Sequence, residues 1–321
     1  MRLHSPSGNW HLGLFLTLVT VVLWGVLPLA LTVTLKVLDV YSVIWFRFVL
    51  SFSILAIYLQ AKQKFPCPQM LLGGKWKLML VATVFLAINY LLFLQGLAET
   101  TPTNSQVLIQ LAPAFFGLGG LAIFKENYTK AQWASLSFLT FGFILFFHEQ
   151  LRAFVMSANK YVFGSTLIVI AAASWAIYAL AQKQLLHWLP SSQVMVIIYG
   201  GCSLLFSPLA SPQHLLALSP LHWSVLLFCA LNTLVAYGSF AESLQHWEAS
   251  KVSAVLALTP LVTILSVFVF SHFAPTVLPS ESITFLGLLG AVFVVCGSVG
   301  IALGKTSRNS HHLKTPQENY K

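Results

Sequence analysis

Ten stretches of this sequence are each long and apolar enough to cross a bilayer, and this leaves few folds open. They run at about 11–35, 41–61, 78–98, 101–124, 131–147, 162–182, 194–210, 223–247, 252–273 and 283–303. A hydrocarbon core of about 30 Å takes about 20 apolar residues per helix, and lipid satisfies no backbone polar group, so each stretch is expected to be a helix. Only two charges, Arg47 and Glu242, fall inside them. Charged residues make up 8% of the 321, against about a quarter in a soluble domain. The chain therefore reads as an all-α polytopic membrane protein with no room for a soluble domain. The first stretch is too long for a signal-peptide core and no small-residue cleavage site follows it, so it is expected to be a retained span.

The net charge of +9 follows from topology rather than from nucleic-acid binding. With the N-terminus inside, the inner segments carry Arg2, Lys62, Lys64, Lys75, Lys77, Lys125, Lys130, Lys183, Lys251, Lys305, Arg308, Lys314 and Lys321, which is 13. The outer segments carry Lys36, Arg152 and Lys160, which is 3, and Arg47 completes the 17. Lys and Arg collect on the cytoplasmic side, so both termini are expected in the cytoplasm. The four cysteines, Cys67, Cys202, Cys229 and Cys296, have no metal or redox spacing and read as small hydrophobes; no cofactor or metal is expected.

An internal repeat organises the ten helices. A shift of 147 carries Tyr90 onto Tyr237, Phe93 onto Phe240, Leu111 onto Leu258 and Pro113 onto Pro260. Upstream the shift grows to 151 and carries Trp24 onto Trp175. Trp, Tyr and Pro matches at nearly one offset are hard to obtain by chance in apolar sequence. The expected plan is a first five-helix repeat over 1–147, an external connection over 148–161, a second repeat over 162–304 and a polar cytoplasmic tail over 305–321. Five is odd, so the repeats enter the membrane in opposite senses. Inverted repeats with interrupted helices mark secondary transporters, with the substrate site near the midplane between the halves.

The motifs in this order resemble the EamA-type branch of the drug/metabolite transporter superfamily. They are W-G-x-x-P at Trp24–Pro28, the Arg47 helix, Asn89-Tyr90 running into Gly96-Leu97, L-x-P at Leu111–Pro113, and Lys125-Glu126. The second half gives Trp175-Ala176-x-Tyr178, then NTLVAYGSFAESL at Asn232–Leu244, then ALTPLVT at Ala257–Thr263. The resemblance spans about residues 10–305. It implies a bacterial inner-membrane location and transport of small metabolites, commonly outward, through a pathway lined by the third, fourth, eighth and ninth helices with the first and sixth. One departure is that Ser271-His272 stands where the second repeat often has a glutamate matching Glu126.

The candidate site residues each have a structural reading as well. Pro113 and Pro260 are gating or cavity-lining bends, or simple kinks. Gln106, Gln110 and Pro113, at i, i+4 and i+7, share a helical face; the amides are substrate contacts or interhelical hydrogen bonds. Trp24, Tyr90, Trp175, Tyr178 and Tyr237 are walls of a central cavity, or packing. Asn89 and Asn232 need a partner at that depth, from a neighbouring helix or a ligand. Arg47, about 9 Å from the outer end of its helix, attracts anions at an outer vestibule or snorkels outward. Glu242, about 7 Å from the inner end, is a proton-coupling carboxylate or a structural acid bonded to His246 or Lys251. The two lie too far apart in depth to pair. Gly297, Gly300 and Gly304 form a packing stripe within the bundle or a homodimer face.

The leading function is a secondary transporter, an exporter of small metabolites or amino acids, working by alternating access without ATP, since no Walker motif is present. Its partners are a small-molecule substrate, the lipid bilayer and, if Glu242 couples transport, protons, with the chain a monomer or a weak homodimer. An intramembrane enzyme is the first alternative. It would need a nucleophile with its base, paired acids or a metal cluster at membrane depth, and no G-x-S-x-G or H-E-x-x-H occurs. A non-transporting membrane scaffold is the second, and it would gain nothing from matched polar residues and bends.

Overall fold

The computed structural model describes residues 9–66, 75–112, 115, 129–146, 148, 160–186, 188–247, 252, 255–273 and 283–303. Helices dominate these residues: α1 (Trp10–Thr34), α2 (Val40–Ala61), α3 (Lys75–Glu99), α4 (Pro102–Leu108), α5 (Lys130–Phe146), α6 (Lys160–Leu185), α7 (Ser191–Phe206), a 3-10 turn at Pro212–Ala217, α8 (Pro220–His246), α9 (Thr259–Phe273) and α10 (Phe285–Leu303). Five of them, α1, α2, α3, α6 and α8, are long and apolar enough to cross a membrane, and α7, α9 and α10 are shorter apolar helices. Large apolar side chains such as Ile57, Leu265 and Phe268 lie on the outer surface, as a protein dissolved in lipid requires.

Local chemistry sets several helix starts. The side chains of Asp39, Thr101 and Ser219 accept hydrogen bonds from the backbone N–H of Ser42, Asn104 and His222. Proline follows at 102 and 220, where a missing N–H costs nothing.

The halves interlock helix for helix. The most extensive contacts pair α3 with α6, α5 with α10, α1 with α8 and α2 with α7. Adding five to each helix number, cyclically, maps this set onto itself: α3–α6 becomes α8–α1, while α2–α7 and α5–α10 map onto themselves. Several of the lesser contacts obey the same rule, α2–α8 with α7–α3 and α1–α9 with α6–α4. Atomic details follow it as well. Gly13 packs on Trp247, and its counterpart Gly164, 151 residues on, packs on Thr100, 147 residues before Trp247.

One expectation needs correction. The fourth and ninth stretches are not continuous bent helices. α4 stops at Leu108, and the bonds Gln110 N–H to Val107 C=O (3.1 Å) and Ala112 N–H to Ile109 C=O (2.9 Å) close tighter i→i+3 turns. Near the other proline, Leu258 N–H bonds Val255 C=O (3.0 Å) before α9 begins at Thr259. The physical reason is proline's clash with the carbonyl four residues earlier. Here those carbonyls find other donors, Ile109 C=O from the Ala112 N–H and Leu256 C=O from the Thr259 hydroxyl. Pro260 is consequently the second residue of α9, starting a helix rather than kinking one. Pro113 lies outside the described residues.

The α10 glycines follow the first of their two readings, a packing stripe within the bundle. Gly290, Gly297 and Gly300 pack against Phe146, Leu139 and Ser135 of α5. Their face is consumed inside the chain and is not open to a second copy; Gly304 lies outside the described residues.

Candidate functional site

A buried cluster of rings and one cation occupies the centre of the bundle. α2 supplies Arg47 and Phe48, α3 supplies Tyr90, α6 Tyr178, α7 Tyr199 and α8 Thr233 and Tyr237. Arg47 is only 2% exposed. Its Nε donates to Thr233 Oγ1 at 3.0 Å, and its guanidinium carbon stands 4.8 Å from the centre of the Tyr90 ring. The Thr233 hydroxyl in turn donates to the Cys229 carbonyl at 3.0 Å, which leaves its oxygen free to accept from Arg47.

This position corrects where both sequence readings placed the Arg47 side chain. It neither snorkels nor stands in an outer vestibule. Thr233 is the fourteenth of the 27 residues of α8, halfway along that helix. The side chain turned inward because the neighbouring helices present an aromatic face and a hydroxyl. Helix length alone gave the depth of the Arg47 backbone and could not show the direction of its side chain.

The rings run on from Tyr90. Phe48 lies 4.6 Å from it and Tyr237 6.3 Å, centre to centre. Trp24 meets Tyr237 edge-on at 5.1 Å. The Tyr90 hydroxyl sits beside those of Tyr237 and Thr233 without forming a hydrogen bond of ordinary length to either. The Tyr178 hydroxyl faces Met195 Sδ at 3.6 Å, and Trp175 packs edge-on against Tyr178 at 6.4 Å. The structure thus brings Trp24, Arg47, Tyr90, Tyr178 and Tyr237 into one cluster, with Trp175 at its margin.

Asn89 and Asn232 use neighbouring helices as partners. Asn89 Nδ2 donates to the Ala171 carbonyl at 2.9 Å, and Asn232 Nδ2 to the Leu23 carbonyl at 2.6 Å, so each ties one half to the other. The Asn232 Oδ1 is buried without a hydrogen bond among the described residues. Gln106 in α4 and Gln110 in the turn after it are both 6% exposed and therefore do not face lipid. Their side chains make no hydrogen bond among the described residues. Around them α4 packs on α9, α6, α1 and α3 rather than on α2, so they stand apart from Arg47.

Glu242 lies toward the C-terminal end of α8, half exposed, with its Oε1 3.2 Å from His246 Nε2. That is the pairing expected of a structural acid; Lys251 lies outside the described residues.

Sequence reasoning missed three members of the cluster. Phe48 and Thr233 adjoin residues that it did single out, but their types are common in membrane helices. Tyr199, whose hydroxyl faces the Thr233 carbonyl at 3.4 Å, falls on Phe48 at the 151 shift, a Tyr–Phe match that was not singled out.

Comparison with known proteins agrees with this architecture. The sequence model of the EamA-like transporter family matches residues 11–148 and again 162–303. An "uncharacterized transporter" of Haemophilus influenzae is 34% identical over 96% of this chain and 98% of its own. The Escherichia coli K12 "uncharacterized inner membrane transporter YhbE" is 35% identical, covering 91% and 92%. A "probable amino-acid metabolite efflux pump" of Salmonella typhimurium is 26% identical, covering 88% and 92%. A chain solved by crystallography superposes with a TM-score of 0.63 over 90% of this chain and 96% of that one, at 14% identity, which speaks to the fold alone. With two matched copies of the family pattern and five helices of membrane-crossing length, this chain is a multi-pass membrane protein of the EamA-like transporter family.

Proposed function

We propose that the chain is a secondary transporter of the bacterial inner membrane that exports small metabolites or amino acids by alternating access. The observation that carries this reading is the helix-for-helix interlock of the halves. Two inverted repeats that exchange equivalent contacts can rock between two states of similar energy, one open to each side. In this reading ten helices span the membrane with both termini in the cytoplasm, residues 1–147 and 162–304 form the repeats, and the broken segments before Pro113 and Pro260 are the gates. The backbone is already turned at 109–110 and 257–258, so movement there sacrifices few helical hydrogen bonds.

The pathway runs past the ring cluster, with Trp24, Tyr90, Trp175, Tyr178 and Tyr237 as walls and Asn89 and Asn232 holding the halves in register beside it. Gln106 and Gln110 contribute amides that have no partner among the described residues, on the α4 side. The similarity to a protein named as an amino-acid metabolite efflux pump supports an outward direction and an amino-acid-like cargo.

The test is counterflow in liposomes holding the full chain, with a panel of labelled amino acids and organic acids. Saturable exchange of at least one solute, absent from empty liposomes, is expected. No movement of any panel member under a solute or proton gradient would overturn the reading. Cysteines at Tyr41 and Lys64 should react from opposite sides of the membrane; labelling of both from one side would overturn the orientation.

A further inference from the structure

The charge at the centre of the bundle narrows what can be carried. A guanidinium offers five N–H donors. Arg47 uses one, on Thr233, and stacks on Tyr90; among the described residues the other four find no hydrogen-bond acceptor and no carboxylate. Three of the chain's eight acids fall among those residues. Asp39 is eight residues before Arg47 on α2, Glu99 nine beyond Tyr90 on α3, and Glu242 nine beyond Thr233 on α8. At 1.5 Å per residue each is about 12–14 Å away along its helix, out of reach.

An arginine at membrane depth costs about 2.5–3.5 kcal/mol to insert, and that cost is ordinarily offset by an acid or by reaching the interface. Arg47 has neither among the described residues. Its planar fork suits an oxyanion gripped by two parallel N–H bonds. The surroundings specify the rest. Trp24, Phe48, Tyr90 and Tyr237 offer flat apolar surface. No second cation stands in the cluster among the described residues, so a dianionic phosphate would remain half neutralised. We infer that the transported species bears a single carboxylate, bound by Arg47, on an apolar or aromatic body that lies against these rings. This rests on the transporter reading above.

The experiment uses matched pairs: phenylacetate, octanoate and phenylalanine, each beside its amide. Binding to the purified full chain is read as ligand-induced thermal stabilisation, and movement as counterflow in liposomes. At least one acid is expected to bind about tenfold or more tightly than its amide, the loss expected when a charge-assisted hydrogen bond is removed. Arg47→Gln should erase that ratio, and Arg47→Lys should keep part of it. An arginine needed only for packing would change stability and leave the ratio untouched. Amides that bind as well as their acids, or a panel in which no acid binds, would overturn the inference. If Arg47→Gln does not fold, the ratio in the unaltered protein decides alone. Counterflow of neutral solutes with no preference for acids overturns the carboxylate and leaves the transporter standing. Binding of acids with no movement of any solute overturns transport and leaves Arg47 as an anion site.

Discussion

Where α5 meets α10, the halves meet as equals. A Cβ on Gly142 would stand 2.8 Å from the Gly290 carbonyl oxygen, and one on Gly290 would stand 2.7 Å from the Gly142 carbonyl oxygen. The centre is built differently. Ser51 of α2 bonds the Ala230 carbonyl of α8, and Cys202 of α7 bonds the Thr83 carbonyl of α3. Thr83 and Ala230 are 147 apart, so Ser51 and Cys202 are counterparts 151 apart, and the same offset carries Arg47 onto Ile198. A cation in one half thus answers an aliphatic side chain in the other. Symmetric contacts suffice to hold the repeats together. A substrate with one charged end is not symmetric, and the residue that receives it must occur once.

Four changes test that contrast, from the largest expected effect to the smallest. Arg47→Ile gives α2 the residue of its counterpart. Uptake of carboxylates in liposomes should fall about tenfold or more, with thermal stability equal or higher, because an incompletely paired buried charge is removed. Retained uptake would make the asymmetry incidental. Gly142→Leu and Gly290→Leu should each destabilise by about 1–3 kcal/mol, and equally, since both side chains would meet backbone. Gly238, where an added Cβ would meet nothing within 4 Å, should accept alanine within about 0.5 kcal/mol. Unequal losses at 142 and 290, read by thermal unfolding in detergent, would break the symmetry at the periphery.

Tyr90→Leu and Tyr237→Leu exchange counterparts of which only Tyr90 lies under the guanidinium. Carboxylate affinity should drop further at 90, by about 1 kcal/mol, as the lost cation–π contact lets Arg47 move. Similar titration curves for the two variants would remove Tyr90 from the site. The smallest effect is expected at the seams. Asn89 donates to the Ala171 carbonyl and Thr20 to the Ala236 carbonyl, and these are equivalent places, since 171 less 151 is 20 and 236 less 147 is 89. Asn89→Ala and Thr20→Val should each cost about 0.6 kcal/mol, the mean for hydrogen bonds between membrane helices. A much larger loss at 89 would mean that its amide does more than join α3 to α6.

Much of this architecture could be read from residue types. Apart from the fourth and ninth, the helices lie within a few residues of the apolar stretches, because length and charge exclusion are one-dimensional constraints. The matched Trp, Tyr and Pro residues located the repeat, and the structure turns that match into contacts. The site was partly legible: Trp24, Tyr90, Tyr178 and Tyr237 do converge, whereas the match of Tyr199 to Phe48 was passed over and Thr233 gave no signal. The backbone breaks were only half visible. Pro260 pointed to a bend, but the turn lies before it, at 257–258, where the carbonyl that proline displaces finds a hydroxyl instead.

The sequence by itself determined that this chain lives in a membrane, how its helices are spaced, and that it is one unit written twice. These follow from composition and periodicity, which need no knowledge of neighbours. Only the tertiary structure decided where Arg47 points and what the α10 glycines are for. A long side chain on a membrane helix can reach for water or for a partner across the bundle, and the choice depends on which rings and hydroxyls the other helices bring within a few ångströms. Here they bring Tyr90 and Thr233, and the charge sits at the centre rather than the surface.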